Sequence, residues 1–203
     1  MPAKGKIRII SSRLLVVEGK DDEGFFSAFT RHLNLSDIQI LPIGGKTLLR
    51  GSLKALKEAQ GFEDVLSIGV VRDADDNPSS AFQSVQDALR DAGLPVPREP
   101  LIPVDSTPQV VVMILPGGDE KGSLETLCLK AVARTPEMRC VNAFFRCLEE
   151  ISISPHSRDK AMIQAFLAAK PRLKRLLGEA AQAGYFPWDA PAFEIVREFL
   201  HSL

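Results

Sequence analysis

The sequence predicts an α/β protein: a mostly parallel sheet flanked by helices, followed by an all-helical part. Three observations predict it. Aliphatic runs of strand length alternate with stretches of helical period through the first two thirds of the 203 residues. Each run is closed by turn or acidic residues. From about Ser123 onward the period is helical throughout, with breaks at Pro136, Pro155, Pro171, Gly184 and Pro191. Such alternation means βαβ units, because parallel strands need a crossover segment long enough to hold a helix.

Taken in order, the strand-like runs are RLLVV (13–17), IQILPI (38–43), VLSIGVV (65–71) and QVVVMIL (109–115), each β-branched or aliphatic. The stretches between the first three, DEGFFSAFTRHL and TLLRGSLKALKEA, carry apolar residues at helical spacing. A third, SSAFQSVQDALRDAG, follows the third run and places Phe82, Val85 and Leu89 on one face. AGLPVPREPLIPVDSTPQ, before the fourth run, is rich in proline and has no period, which suits a surface excursion. We place an α/β domain at 6–130 and a helical subdomain at 131–203. In the latter, Tyr185, Phe186, Trp188, Phe193 and Phe199 are expected to pin the last helix to the body.

Composition limits the function classes. A formal net charge of −1 excludes a bulk polycation, so any nucleic-acid surface must be a local patch. Cys128, Cys140 and Cys147 form no CxxC pair and are odd in number, which suits a reducing cytosol and shows no zinc site. The opening residues have no apolar core of signal-peptide length, and nothing later approaches a membrane span. The expectation is a soluble cytoplasmic protein.

In a parallel sheet, ligands gather at the carboxyl ends of the strands. Glu18 directly follows the first run, and Asp22 stands one helical turn further on. GVVRDADDNP delivers Asp73 and Asp75 to the same edge, two apart and therefore on one side of an extended segment. Two such clusters form a hard-oxygen site suited to Mg²⁺ (or Mn²⁺), which also binds phosphates. Each cluster alone has a plain explanation, since acids favour helix N-termini and Asp, Asn and Pro favour turns.

Together, Glu18-Gly19-x-x-Asp22 after one strand and Asp73-x-Asp75 after another resemble the Toprim domain of topoisomerases, primases and OLD-family nucleases. The likeness covers roughly residues 12–130 and lies nearest to OLD-like nucleases and small stand-alone Toprim-related proteins. It implies Mg²⁺-dependent phosphodiester hydrolysis of nucleic acid, with DNA ahead of RNA. Glu18 would act in catalysis as ligand or proton relay, with Asp22, Asp73 and Asp75 as further ligands. The same likeness makes Glu125, in the first turn of the helix after the fourth run, a further ligand, and Lys160 a catalytic lysine. A glycine often follows the second motif; here Asp76, Asn77 and Pro78 stand instead. Asp21 competes with Asp22 for the helical position.

Gly45-Lys46-Thr47 looks like the tail of a phosphate-binding P-loop, but Ile40 stands where the first glycine is required. Lys46 is instead expected to sit at a helix N-terminus near a substrate phosphate and assist electrostatically. Residues 155–178 hold Arg158, Lys160, Lys170, Arg172, Lys174 and Arg175 against Asp159, a net +5 without histidine, and could follow a phosphate backbone. His156 is an alternative to Lys160. Topoisomerase action is disfavoured because it would need a separate strand-holding domain and a nucleophilic tyrosine, and the only tyrosine, Tyr185, sits in an aromatic cluster; primase action would need template and nucleotide modules for which this length has little room. The alternative reading is a non-cleaving metal-binding subunit that acts with a separate ATPase.

Overall fold

The four aliphatic runs become four strands of one parallel sheet in the computed structural model, which describes residues 7–203. The boundary at residue 6 and the start of the basic opening stretch lie outside the described residues. The strands are β1 (Arg13–Val17), β2 (Ile38–Pro42), β3 (Ser67–Asp73) and β4 (Gln109–Leu115), in the order β2-β1-β3-β4. Leu14 and Val16 of β1 pack on one face and Leu15 and Val17 on the other. Burial of both faces explains why the runs are continuously aliphatic and do not alternate.

The helices are α1 (Lys20–His32), α2 (Leu49–Lys57), α3 (Pro78–Asp91), α4 (Leu124–Val132), α5 (Pro136–Glu150), α6 (Arg158–Ala168), α7 (Leu177–Gln182) and α8 (Glu194–His201). One layer is built on α2 and α3, through Leu53, Leu56, Val85 and Leu89. The opposite layer holds α1 with the helices after β4, through Phe25, Phe29, Leu127, Phe166 and Phe199. The chain thus leaves β1 toward one face and β3 toward the other. Because β1 and β3 are adjacent, a crevice opens between their carboxyl ends, which is the switch point where open α/β sheets take ligands.

The proline-rich excursion runs along the outer side of β4. Leu101 donates to the Val112 carbonyl (2.8 Å) and Val104 to the Val110 carbonyl (3.0 Å), so groups on an otherwise bare edge strand find partners. The aromatic expectation also holds: Trp188 stacks on Phe29 with ring centroids 4.9 Å apart, and Phe186, Phe193 and Phe199 are buried. Gly69, in the middle of β3, makes room for α8, since a Cβ there would lie 3.0 Å from Phe199 Cζ. Among the described residues no helix is long and apolar enough to cross a membrane.

Candidate metal centre

The crevice is lined from four directions. Glu18 leaves β1, Asp22 occupies the first turn of α1, Asp73 ends β3, and Glu125 lies in the first turn of α4. Each is placed by a local reason. Gly19, the N-cap of α1, has no side chain to offer, and its N–H donates to the Asp22 carboxylate (2.9 Å), closing the return half of a capping box. Ser123 caps α4, and its hydroxyl donates to Glu125 (2.7 Å). Asp73 accepts the Leu124 N–H (3.0 Å), which ties the end of β3 to the start of α4.

Burial and mutual repulsion dominate the electrostatics. Burial, then the charges of Asp22, Glu18 and Glu125, push the Asp73 carboxyl up to about 8. Asp22 is raised to about 6 by burial, which outweighs the lowering by backbone N–H bonding, chiefly from Gly19; the charges of Glu18 and Asp21 add smaller upward contributions. These groups are close enough to repel one another, and no ion pair relieves Asp22 or Asp73 among the described residues.

Cationic partners stand at the margins of the cluster. Lys46 pairs with Asp75 at 2.7 Å, and Lys160 approaches Glu125 to 3.6 Å. The hydrogen bond to Asp75 holds the Lys46 ammonium above its ordinary range. The structure therefore gathers Glu18, Asp22, Asp73 and Glu125, with Asp75, Lys46 and Lys160 around them. His156 is exposed just ahead of α6.

Asp75 itself supplies the turn that a following glycine would have made. It adopts a left-handed φ of 51°, which aspartate tolerates better than most residues. Reciprocal backbone bonds with Gly122, both 2.9 Å, hold it there. Asn77 then caps α3 by accepting the Ser80 N–H (2.9 Å). The glycine pair after β2 is no phosphate cradle: the N–H groups of Gly44 and Gly45 both donate to the Glu18 carbonyl, at 3.0 and 2.9 Å.

Asp21, the rival for the helical position, points elsewhere. Its carboxylate accepts the N–H groups of Leu177 (3.1 Å) and Gly178 (2.6 Å) and so caps α7. Nothing near Asp21 in the sequence signals this, because its partners lie 156 and 157 residues away. The basic stretch also differs from a continuous helical stripe. Within it α6 covers only 158–168, residues 169–176 are irregular, and three of the six cations are taken: Arg158 by Glu149, Lys170 by Glu137 and Lys160 by Glu125.

The donors are all carboxylate oxygens, the chemistry a hard divalent cation requires. Among the described residues no three His, Cys, Asp or Glu side chains are grouped closely enough to hold an ion as they stand. The donor set fits a hard divalent cation in kind.

Fold and crevice together define a doubly wound α/β protein with a carboxylate-lined switch point. The chain belongs to the DUF3226 family, described as "Protein of unknown function", which matches residues 12–203. No curated protein matches the chain. Among solved structures it is similar in fold to the C-terminal region of the Xanthomonas campestris pv. campestris OLD protein. That match has a TM-score of 0.50 and 14% identity, covering 96% of this chain and 95% of that one. The C-terminal region of the Burkholderia pseudomallei OLD protein aligns at TM-score 0.48 and 18% identity, covering 95% of this chain and 97% of that one.

Proposed function

We propose that the chain is a Mg²⁺- or Mn²⁺-dependent hydrolase of phosphodiester bonds in nucleic acid, with a Toprim-like sheet edge as its active site. The observation that carries this reading is the crowding at the β1/β3 switch point. Asp73, pushed up to about 8 by burial first and then by the charges of Asp22, Glu18 and Glu125, lacks the counter-charge that a divalent cation supplies. The likeness to an OLD protein's C-terminal region supports the fold on which this reading rests.

Glu18, Asp22, Asp73, Asp75 and Glu125 would hold the cation. When bound, it would supply a Lewis acid that lowers the pKa of a coordinated water and offsets phosphate charge. The chain's own residues do the rest. Glu18, whose side chain makes no hydrogen bond among the described residues, is available to take a proton. Lys46 and Lys160 place ammonium groups beside two different carboxylates of the cluster, where charge developing on a phosphoryl oxygen would meet them. Ser123 and the Leu124 N–H orient Glu125 and Asp73. Tyr185, the only tyrosine, gives its hydroxyl to the Arg172 carbonyl and lies away from the carboxylates' hydrogen-bond network. That disfavours a topoisomerase-like tyrosyl intermediate.

The test is incubation of the purified protein with plasmid, single-stranded DNA and RNA in Mg²⁺, Mn²⁺ or chelator, with Glu18→Gln in parallel. Wild type should cleave only with metal, and the variant should be slower by about 100-fold or more, the scale of a lost proton-transfer group. Equal rates would remove Glu18 from the chemistry. A second reading, a non-cleaving metal-binding subunit served by a separate ATPase, is favoured by the looseness of the carboxylate set. It predicts a Mg²⁺-dependent rise in melting temperature with no cleavage in any ion.

A further inference from the structure

The segment between α6 and α7 joins the crevice to a charged surface. Residues 169–176 form no regular element, yet they are held in place at three points. Tyr185 donates its hydroxyl to the Arg172 carbonyl (2.9 Å), Gln164 donates its side-chain amide to the Arg175 carbonyl (2.8 Å), and Asp21 accepts the N–H groups of Leu177 and Gly178. Every one of these anchors engages backbone, and of the segment's cations only Lys170 is committed, to Glu137 (2.6 Å). Arg172, Lys174 and Arg175 form no ion pair among the described residues, unlike the other three cations of the stretch. Leu173 and Leu176, interleaved with them, are 61% and 49% exposed.

The segment also has a direction. Lys160, at Glu125, and Gln164, at the Arg175 carbonyl, are four residues apart on α6 and share a face. One face of α6 therefore reaches from Glu125, through Lys160, to the Arg175 carbonyl of the anchored loop. At the far end, Asp21 fixes the loop to the same turn of α1 that presents Asp22 inward.

We propose that residues 172–176 are a backbone clamp for a nucleic-acid strand, set beside the crevice by Asp21 as a positioning residue. The proposal rests on the nucleic-acid reading above and adds the surface that grips the substrate. Three free cations on a backbone held from behind suit a polyanion, and the exposed leucines suit the faces of unstacked bases, which favours a single strand.

The experiment is fluorescence anisotropy with labelled single-stranded and duplex oligonucleotides in Ca²⁺, across a salt series. R172Q/K174Q/R175Q should weaken single-strand binding at least tenfold and flatten the slope of log K against log salt by about 2, at roughly 0.7 for each phosphate no longer neutralised. Its Mg²⁺-induced melting shift should be that of wild type. D21N should weaken binding in the wild-type background and have no further effect in the triple-variant background, while lowering the melting temperature equally in both. A D21N loss that persists in the triple variant would remove its positioning role. Unchanged affinity and slope in the triple variant would overturn the clamp. Equal or stronger capture of the wild type by anionic phosphatidylserine vesicles, lost in the triple variant, would overturn it in favour of a membrane surface. A wild type that binds strands without cutting them leaves the clamp standing and removes the hydrolase. A triple variant that binds and cuts like wild type does the reverse.

Discussion

Asp21 and Asp22 are adjacent residues of one type in the first turn of one helix, and the molecule uses them in opposite ways. Asp21 faces α7, where two N–H donors satisfy it and the helices meet so closely that the residues at the crossing are both glycine. A Cβ on Gly24 would lie 2.8 Å from the Gly178 Cα, and one on Gly178 would lie 2.6 Å from the Asp21 carbonyl oxygen. Asp22 faces the crevice with one backbone N–H from Gly19 and is raised to about 6. One region is optimised for its own stability. The other holds unrelieved charge, the kind of local cost expected where a fold prepares for a ligand.

The largest effect that would sharpen this contrast is a pH dependence confined to the crevice. Folded Asp73 keeps its proton to about 8, whereas the unfolded chain releases it near 3.8. Between those values the native state binds more protons, so metal-free stability should fall as pH rises and level off above about 8. Asp22 adds to the loss between 3.8 and about 6. The total should be on the order of several kcal/mol, at about 1.4 kcal/mol per tenfold change in proton affinity. Chemical denaturation in chelator across that range measures it, with Asp73→Asn as the control that should flatten most of the curve. Saturating Mg²⁺ should recover the lost stability at the alkaline end. Stability that rises from pH 4 to 8 without metal would break this picture of the crevice.

Next in size is the tight α1–α7 crossing. Gly178→Ala places a methyl against two backbone segments that cannot step aside, and overpacking of this kind costs about 1–3 kcal/mol, occasionally more. The loss should be the same at pH 5 and pH 8, since the new methyl meets the Asp21 and Gly24 backbone and, of titratable groups, only the Asp21 carboxylate, which lies outside the crevice. A loss that changed with pH would mean that the α1–α7 crossing and the crevice are coupled.

The sheet and its switch point were legible because burial of both faces leaves aliphatic runs that few other environments produce. Glu18, Asp22 and Asp73 could be placed at the edge because strand ends and first turns have fixed addresses in a parallel sheet. The division of labour between Asp21 and Asp22 was not legible, since it depends on Leu177 and Gly178, over 150 residues away. The basic stretch looked uniform for a related reason. Charge counting cannot show that Glu149 and Glu137 consume Arg158 and Lys170 or that the helix ends at Ala168. The left-handed turn at Asp75 was hidden by the assumption that such a turn needs glycine.

Asp21→Ala is a smaller change on the ordered side. It removes the acceptor for two N–H groups at the start of α7, a cap loss worth about 1 kcal/mol, up to about 2. Asp22→Asn should cost less in the metal-free protein, because it removes repulsion while keeping an oxygen for the Gly19 N–H. Melting both variants in chelator at pH 8 orders them. If Asp22→Asn proved the more damaging, the two carboxylates would have to exchange roles.

The smallest expected effect separates a cation that stabilises the fold from one that serves the site. Lys46 and Asp75 are both about half exposed, and an ion pair in that setting contributes roughly 0–1 kcal/mol. Lys46→Met keeps the aliphatic stem and removes the ammonium, so metal-free stability should hardly move. Asp75, released from its partner, should then be freer to meet a divalent ion, and the Mg²⁺-induced melting shift should stay equal or grow. If Lys46 also offsets charge on the reacting phosphoryl group, cleavage should fall while that shift is preserved. Melting curves with and without Mg²⁺, run beside a cleavage time course, read all three quantities on one preparation. Loss of the Mg²⁺ shift in Lys46→Met would show that the lysine organises the carboxylates and is more than their stand-in counter-charge, and the contrast between a self-sufficient Asp21 side and a cation-hungry crevice would have to be redrawn.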